Sequence, residues 1–196
     1  MPDRVVAFAG SLRRKSYNRA LIEAARELAP ESMTIEAIEI GGLPFYDADL
    51  EADGDPESVA AFKAALQQAD GLLIATPEYN DSIPGVLGNA LAWGSRLPGR
   101  APVVGKAVAI MGASPSQIGT ARAQLHLRQV LGHVRARVLP PPELLVAQAH
   151  LRFDPDLRLN DESTRRILTS LLERFSGWMA RERAAVEAEQ VAKTPA

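Results

Sequence analysis

Three short runs of consecutive apolar residues stand out along the chain. They are Val5–Ala9, Gly71–Ala75 and Ala107–Met111, and a glycine directly follows the first and the last of them. A strand inside a parallel sheet is covered on both faces, so it is apolar at every position rather than at every second one. The runs therefore predict three buried strands of a parallel sheet.

Apolar residues with helical spacing lie between and after these runs. Two weaker segments are interpreted as strands: Met33–Ile40 at an edge of the sheet, and Arg135–Leu139, which a run of prolines closes. A final helix is expected from Asp161. The apolar faces of the predicted helices are Leu21, Ala24, Ala25 and Leu28; Val59, Phe62, Leu66 and Ala69; Val86, Ala90, Trp93 and Leu97; Ala123, Leu127, Val130 and Leu131; and Ile167, Leu168, Leu171, Leu172, Phe175, Trp178 and Met179.

Strands that alternate with helices predict an α/β protein in which helices cover both faces of the sheet. Five strands and five helices fit a flavodoxin-like three-layer sandwich with a five-stranded parallel sheet. We expect a single domain over residues 1–196. The pattern turns polar beyond Arg181, so the tail is expected to fray after about residue 185.

Composition and charge exclude several kinds of chemistry. The chain has 196 residues and a net charge of −2, so it has no general field for nucleic acid or for an anionic membrane. Without cysteine it cannot use thiolate catalysis or an iron–sulfur cluster. The isolated His126, His133 and His150 do not have the spacing of a metal site. No signal peptide or membrane-spanning run is recognised, so we expect a cytoplasmic protein.

A ligand of such a sheet is expected beyond the carboxyl ends of its strands. The loops 10–18, 76–85 and 112–120 leave the three buried strands at those ends. All three loops are rich in residues that can bind a ligand.

The first of these loops runs into the amino terminus of a helix, where backbone N–H groups are free and the helix dipole is positive. These features favour a phosphate monoester, which carries about −1.5 to −2 charges at pH 7. An N-cap serine on a solvated basic turn is the alternative. The side chains that can bind phosphate are Ser11, Ser16 and Asn18 as hydrogen-bond donors and Arg13, Arg14 and Lys15 as cations.

The second loop is stiffened by Pro77 and Pro84. Its backbone amides and the aromatic Tyr79 can hold the polar rim of a flat heteroaromatic ring, although a structural turn explains the residues equally well.

The third loop has small residues that allow close approach of backbone to a ligand. Taken alone, it favours a strand-to-helix turn with Ser116 or Thr120 as N-cap.

Together the loops resemble the NADPH-dependent FMN reductase family, which includes bacterial quinone, azo-dye and chromate reductases. The match runs in order from about residue 3 to residue 140, and its central motif is the most specific part. The matching motifs are Gly10-Ser11-Leu12-Arg13 with Ser16 and Asn18; Pro77-Glu78-Tyr79-Asn80 followed by Ser82, Pro84-Gly85, Leu87, Asn89-Ala90, Trp93 and Ser95-Arg96; and Gly112-Ala113-Ser114-Pro115 with Gly119, Arg122-Ala123-Gln124, His126-Leu127 and Arg128.

The resemblance implies an oxidoreductase that uses FMN as cofactor and NAD(P)H as co-substrate. Such an enzyme passes electrons to quinones or similar small acceptors by a ping-pong mechanism. The flavin carries the chemistry, so no side chain is assigned as catalytic and no metal is expected. By the same resemblance, the FMN phosphate is bound by Ser11, Arg13, Ser16 and Asn18, with Tyr17 as a neighbour in the cofactor site. The isoalloxazine is bordered by Pro77, Glu78, Tyr79 and Asn80, and Ser114 approaches the other side of the flavin.

The resemblance also implies a homodimer or homotetramer. The helix after the central motif, with Trp93 and Leu97, is then a candidate interface, although core packing explains the same stripe equally well. Relatives often have two glycines where this chain has Ser116 and Gln117. These larger residues are expected to narrow the nicotinamide or acceptor pocket.

Two other functions stay open at this point. An electron-carrier flavodoxin would bind FMN without NAD(P)H turnover, but such carriers are usually much more acidic than a chain of net charge −2 and have a threonine-rich phosphate loop. A regulatory protein on the same fold would have lost the cofactor, which the intact loops disfavour. The sequence does not distinguish NADH from NADPH and does not identify the physiological acceptor.

Overall fold

The computed structural model describes residues 1–96 and 101–193, with side chains as far as residue 188. All strand pairs of its sheet are parallel, in the order β2-β1-β3-β4-β5, and β6 also pairs with β4. The strands are β1 (Asp3–Ala9), β2 (Met33–Ala37), β3 (Gly71–Ala75), β4 (Ala107–Ala113), β5 (Arg137–Val138) and β6 (Leu144–Val146). The helices are α1 (Tyr17–Leu28), α2 (Ala48–Ala52), α3 (Glu57–Gln68), α4 (Gly85–Gly94), α5 (Ala121–His133) and α6 (Glu162–Lys193), with a 3-10 turn at Ala149–Leu151.

The flavodoxin-like fold is confirmed, and so are its three central strands. The fully apolar runs form β1, β3 and β4, and every residue of β3 and β4 is buried. Side chains of successive strand residues point to opposite faces of the sheet. Val5 and Ala7 therefore lie in one core with α1 and α6, whereas Val6 and Phe8 lie in a second core with α3, α4 and α5.

The last position of the sheet differs from the prediction. A single strand over Arg135–Leu139 was expected, but β5 pairs only with Ala107 and Val108, and β6 pairs with residues 111–113 farther along β4. Residues 140–142 between β5 and β6 are prolines, which lack the N–H that a sheet ladder needs. Two short strands therefore share the fifth position. The short helix α2 was not predicted.

Trp93 is a core residue rather than an interface residue. Its side chain is fully buried, and its Nε1–H donates a hydrogen bond to the carbonyl of Pro44 at 2.9 Å. The interface role considered for it is therefore wrong. Leu97, the other residue considered for that role, lies outside the described residues.

The long helix α6 covers one face of the sheet and reaches its amino-terminal edge. Near that edge, Arg183 forms ion pairs with Asp3 at 3.0 Å and Asp70 at 3.6 Å. The helical backbone continues to Lys193. Fraying of the tail after about residue 185 in solution stays a prediction.

The amino end of α6 is capped by Asp161. Its carboxylate accepts hydrogen bonds from the hydroxyl of Thr164 at 2.6 Å, the backbone N–H of Thr164 at 2.8 Å and the guanidinium of Arg152 at 2.9 Å. The hydroxyl of Thr164 contributes most to holding the pKa of Asp161 below its ordinary value, followed by the N–H of Thr164 and by Arg152.

We expect Asp161→Ala to lower the free energy of unfolding by about 1 kcal/mol at pH 7, the usual effect of losing an N-cap. Because the folded-state pKa is depressed, this stabilisation is complete above the ordinary aspartate pKa of about 4 and is lost as the pH falls through the folded-state value. Urea unfolding at pH 7 and at acid pH measures both effects. Asp156→Ala, at an exposed aspartate of the preceding loop, is the control. Equal unfolding free energies for Asp161→Ala and wild type at pH 7 would contradict the capping role.

Candidate functional site

The three candidate loops meet at the carboxyl edge of the sheet. They follow Ala9 of β1, Ala75 of β3 and Ala113 of β4, which are neighbouring strands. The sheet ladder continues one residue beyond β1 and β3, since the N–H of Gly10 donates to Ala75 at 2.8 Å and that of Thr76 donates to Met111 at 2.9 Å. The predicted grouping of the loops is therefore present in the structure.

A glycine allows the third strand to approach the other elements closely. A Cβ atom built on Gly112 would lie 2.4 Å from the carbonyl oxygen of Thr76 and 2.1 Å from the hydroxyl of Thr120. Any larger residue would therefore push β4 away from β3 or from the start of α5. The small residues of this loop were expected to let its backbone approach a ligand closely. At Gly112 the groups that come close are the Thr76 carbonyl and the Thr120 hydroxyl of the protein itself.

The first loop offers unpaired backbone donors. Within the described residues, the N–H groups of residues 12–15 and of Tyr17 donate no hydrogen bond. Ser16 is the N-cap of α1, where its hydroxyl accepts the N–H of Arg19 at 3.3 Å. Ser11 and Ser16 are buried in the loop, whereas Arg13, Arg14 and Lys15 are exposed.

Arg13 and Tyr17 lie against each other. The guanidinium of Arg13 is 5.9 Å from the centre of the Tyr17 ring, within reach of a cation–π contact. The same ring packs on Phe153 with 5.3 Å between centroids. These contacts hold the Arg13 cation beside the amino terminus of α1.

Asn18 lies in the first turn of α1, but its side chain does not point towards the free donors. Its Nδ2 donates to the carbonyl of Ala113, and its Oδ1 accepts the N–H of the same residue, both at 2.9 Å. The structure therefore brings Asn18 to the site as a link between the first and third loops. Its Oδ1 and one N–H of its Nδ2 are used in this link.

The second loop is a tight hairpin turn. Tyr79 and Ser82 exchange backbone hydrogen bonds of 3.0 Å in both directions. Asn80 and Asp81 between them have φ angles of 51° and 61°. Two successive residues with positive φ are typical of a type I′ turn, which asparagine and aspartate tolerate well. The turn leaves Tyr79 half exposed at the edge of the site.

Side chains anchor this hairpin to α5. The carboxylate of Glu78 accepts the N–H of Ala123 at 2.9 Å, in the first turn of α5. Thr120, the N-cap residue of α5, makes no side-chain cap, so Glu78 supplies one from another loop. Asp81 pairs with Arg122, and the hydroxyl of Ser82 bonds to Nδ1 of His126 at 2.7 Å. His126 thus has a structural contact.

The third loop is braced by a segment that the sequence did not indicate. Ser114 is buried, and its backbone N–H donates to Val146 at 3.0 Å while its carbonyl accepts the N–H of Ala149 at 3.0 Å. Its hydroxyl is 3.2 Å from that of Ser116. Ser116 and Gln117 are exposed beside it. No local pattern marks residues 146–149 as part of the site.

The donor set fits a ligand with an anionic end and a flat polar ring. Unpaired N–H groups, two buried serines and a positively charged arginine surround the start of α1, as a phosphate requires. The hairpin with Tyr79 and the buried Ser114 border the adjoining strand ends. Among the described side chains, no group of three or more histidines and carboxylates could hold a metal ion. Within residues 1–96 and 101–193, no helix is long and apolar enough to cross a membrane.

Comparison with known proteins identifies the family. Residues 4–151 match the sequence model of the NADPH-dependent FMN reductase family. An NAD(P)H-dependent FMN reductase from Pseudomonas aeruginosa is 43% identical over 180 residues, which cover 92% of this chain and 97% of the relative. A 2-hydroxy-1,4-benzoquinone reductase from a Burkholderia species is 41% identical over 179 residues, with 91% and 97% covered.

A solved structure agrees with this match. The flavoenzyme NAD(P)H:(acceptor) oxidoreductase FerB from Paracoccus denitrificans is 36% identical and aligns with a TM-score of 0.84, covering 92% of this chain and 98% of FerB. The chain belongs to the NADPH-dependent FMN reductase family.

Proposed function

We propose that this protein is an FMN-dependent NAD(P)H oxidoreductase that passes electrons to quinones or similar small acceptors. The observation that carries the proposal is the set of unpaired N–H groups of residues 12–15 at the amino terminus of α1, beside two further strand ends. Membership of the FMN reductase family supports FMN as the ligand of this site and NAD(P)H as the electron donor.

The first loop binds the FMN phosphate in this proposal. The unpaired N–H groups lie in the loop that leads into α1, and the helix dipole adds partial positive charge at the helix start. Ser11, Ser16 and Tyr17 border the phosphate, and Arg13 neutralises it from its position on the Tyr17 ring. Asn18 contributes its backbone N–H rather than its amide.

The second and third loops border the isoalloxazine ring. Pro77, Glu78, Tyr79 and Asn80 present backbone and an aromatic edge from a hairpin anchored to α5. Ser114 approaches from the end of the neighbouring strand. Because both loops are braced by other parts of the chain, they present these groups in fixed positions and need little reorganisation when charge develops on the ring.

Bound FMN supplies the hydride and electron transfer itself. The protein's part is to hold the phosphate, orient the ring and leave one face open. No side chain has to act as acid, base or nucleophile, so none is proposed as catalytic. Because NAD(P)H and the acceptor use the same open face in turn, the kinetics should be ping-pong.

The acceptor class is proposed from the relatives. A 2-hydroxy-1,4-benzoquinone reductase and a quinone reductase from Escherichia coli are 41% and 40% identical to this chain. A planar quinone fits an open flavin face, and Ser116 and Gln117 would border it. We also propose a homodimer or homotetramer that works in the cytoplasm, without a nucleic-acid or membrane partner.

Turnover with NAD(P)H and a quinone tests the oxidoreductase assignment. The FMN-loaded protein should be bleached by NADH or NADPH without oxygen, and a benzoquinone should restore its visible bands. Initial rates at several fixed quinone concentrations should give parallel double-reciprocal plots against NAD(P)H. Flavin bands that dithionite bleaches but NAD(P)H does not would instead indicate an electron carrier and would contradict the proposal.

Two substitutions in the first loop test the assignment of this loop to the FMN phosphate. Replacing Arg13 and Ser16 together by alanine should weaken FMN binding by about tenfold to a hundredfold, because a hydrogen-bonded charge is lost. Riboflavin, which has no phosphate, should bind the variant and the wild type equally well.

Fluorescence titration of the flavin-free protein measures both affinities. Arg26→Ala, in the last turn of the same helix, is the matched control and should bind FMN like the wild type. Unchanged FMN affinity of the double variant would refute the assignment of the first loop to phosphate.

A further inference from the structure

Asn18 occupies the place of a missing strand residue. In β4, the backbone groups of alternate residues face β3, and Met111 still accepts a hydrogen bond from Thr76 on that side at 2.9 Å. Two residues farther on, at Ala113, β3 has ended. The amide of Asn18 takes over there, giving both the N–H and the carbonyl of Ala113 a partner at 2.9 Å. The last residue of β4 is thereby paired as if the sheet continued.

This contact fixes the orientation of the Asn18 side chain. The side chain is 3% exposed, and its Oδ1 and one N–H of its Nδ2 are bonded to Ala113. The backbone N–H of Asn18, in contrast, donates no hydrogen bond within the described residues and belongs to the free amino end of α1. One residue therefore contributes its backbone to the first loop and its side chain to the third.

We propose that Asn18 is a positioning residue that sets the distance between the phosphate and ring parts of the flavin site. Its amide fixes the amino terminus of α1 relative to Ala113 and hence to Ser114, which follows it. A single flavin must satisfy both places at once, so a shift between them weakens binding of the whole molecule. The inference rests on the proposed FMN function, and it replaces the expected role of the Asn18 side chain as a phosphate donor.

A comparison of FMN with riboflavin separates these two roles. If the Asn18 amide donated to the phosphate, Asn18→Ala would weaken the binding of FMN only. Loss of the link should weaken FMN and riboflavin by a similar factor, about tenfold each, because Ala113 loses both partners and the third loop can move away from α1. The visible circular dichroism of the flavin at saturating FMN should also change, since the surroundings of the ring change.

Asn89→Ala is the matched control. The amide of Asn89 makes the same kind of double contact, with the carbonyl of Pro44 and the N–H of Tyr46 at 2.8 Å each, on the segment between β2 and α2. Asn89→Ala should therefore lower the stability of the protein as Asn18→Ala does, without changing the affinity for either flavin or the dichroism. Asn18→Ser is the second variant, for use if Asn18→Ala does not fold. Its side chain is too short to reach both backbone atoms of Ala113, so it should weaken flavin binding in the same way.

The titrations have clearly separated outcomes. Parallel losses of FMN and riboflavin affinity with altered dichroism support the proposal. A loss confined to FMN, unchanged affinity for both flavins, or dichroism identical to that of the wild type would overturn it. The wild-type titration reports on the proposed function separately, because a protein that binds no FMN at all fails there before any variant is compared.

Discussion

Three parallel strands that end side by side are the constraint on which the site depends. At that edge the backbone ladder stops, so the N–H and carbonyl groups beyond it need hydrogen-bond partners outside the sheet. The site consists of the three loops that this edge produces. Gly112 shows how little room there is, because even a Cβ atom would lie 2.1 Å from the Thr120 hydroxyl and 2.4 Å from the Thr76 carbonyl.

The three loops differ in which parts of the chain pair with their backbone groups. The second loop pairs with itself through Tyr79 and Ser82 and is anchored to α5 by Glu78. The third is closed by residues 146–149 and by Asn18. The first loop leaves the N–H groups of residues 12–15 unpaired among the described residues, at the positive end of a helix. A phosphate is the natural partner for such a surface.

The central fold could be predicted from sequence because its signal is local. A strand buried on both faces is apolar at each position, so β1, β3 and β4 were recognisable. The split between β5 and β6 was not, because it depends on which parts of β4 each short strand meets after the prolines. Trp93 was ambiguous for a related reason, since an apolar helical stripe has the same pattern in a core and in an interface.

For the site, residue types and loop positions could be predicted, but contact partners could not. Asn18 was recognised as a member of the first loop, yet its partner lies 95 residues away. Glu78 was assigned to the flavin edge, and it also caps a helix that starts more than forty residues later, at Ala121. Such pairs depend on the folded sheet, which brings distant strand ends together, and no spacing in the chain records them.

The position of FMN in a crystal structure of the complex is the most direct measurement of the central claim. The account predicts that the phosphate accepts hydrogen bonds from the backbone N–H groups at the start of α1, with Arg13 beside it. It also predicts that the ring lies between the Tyr79 hairpin and Ser114. A phosphate bound away from that helix terminus, or a ring outside the two loops, would contradict it.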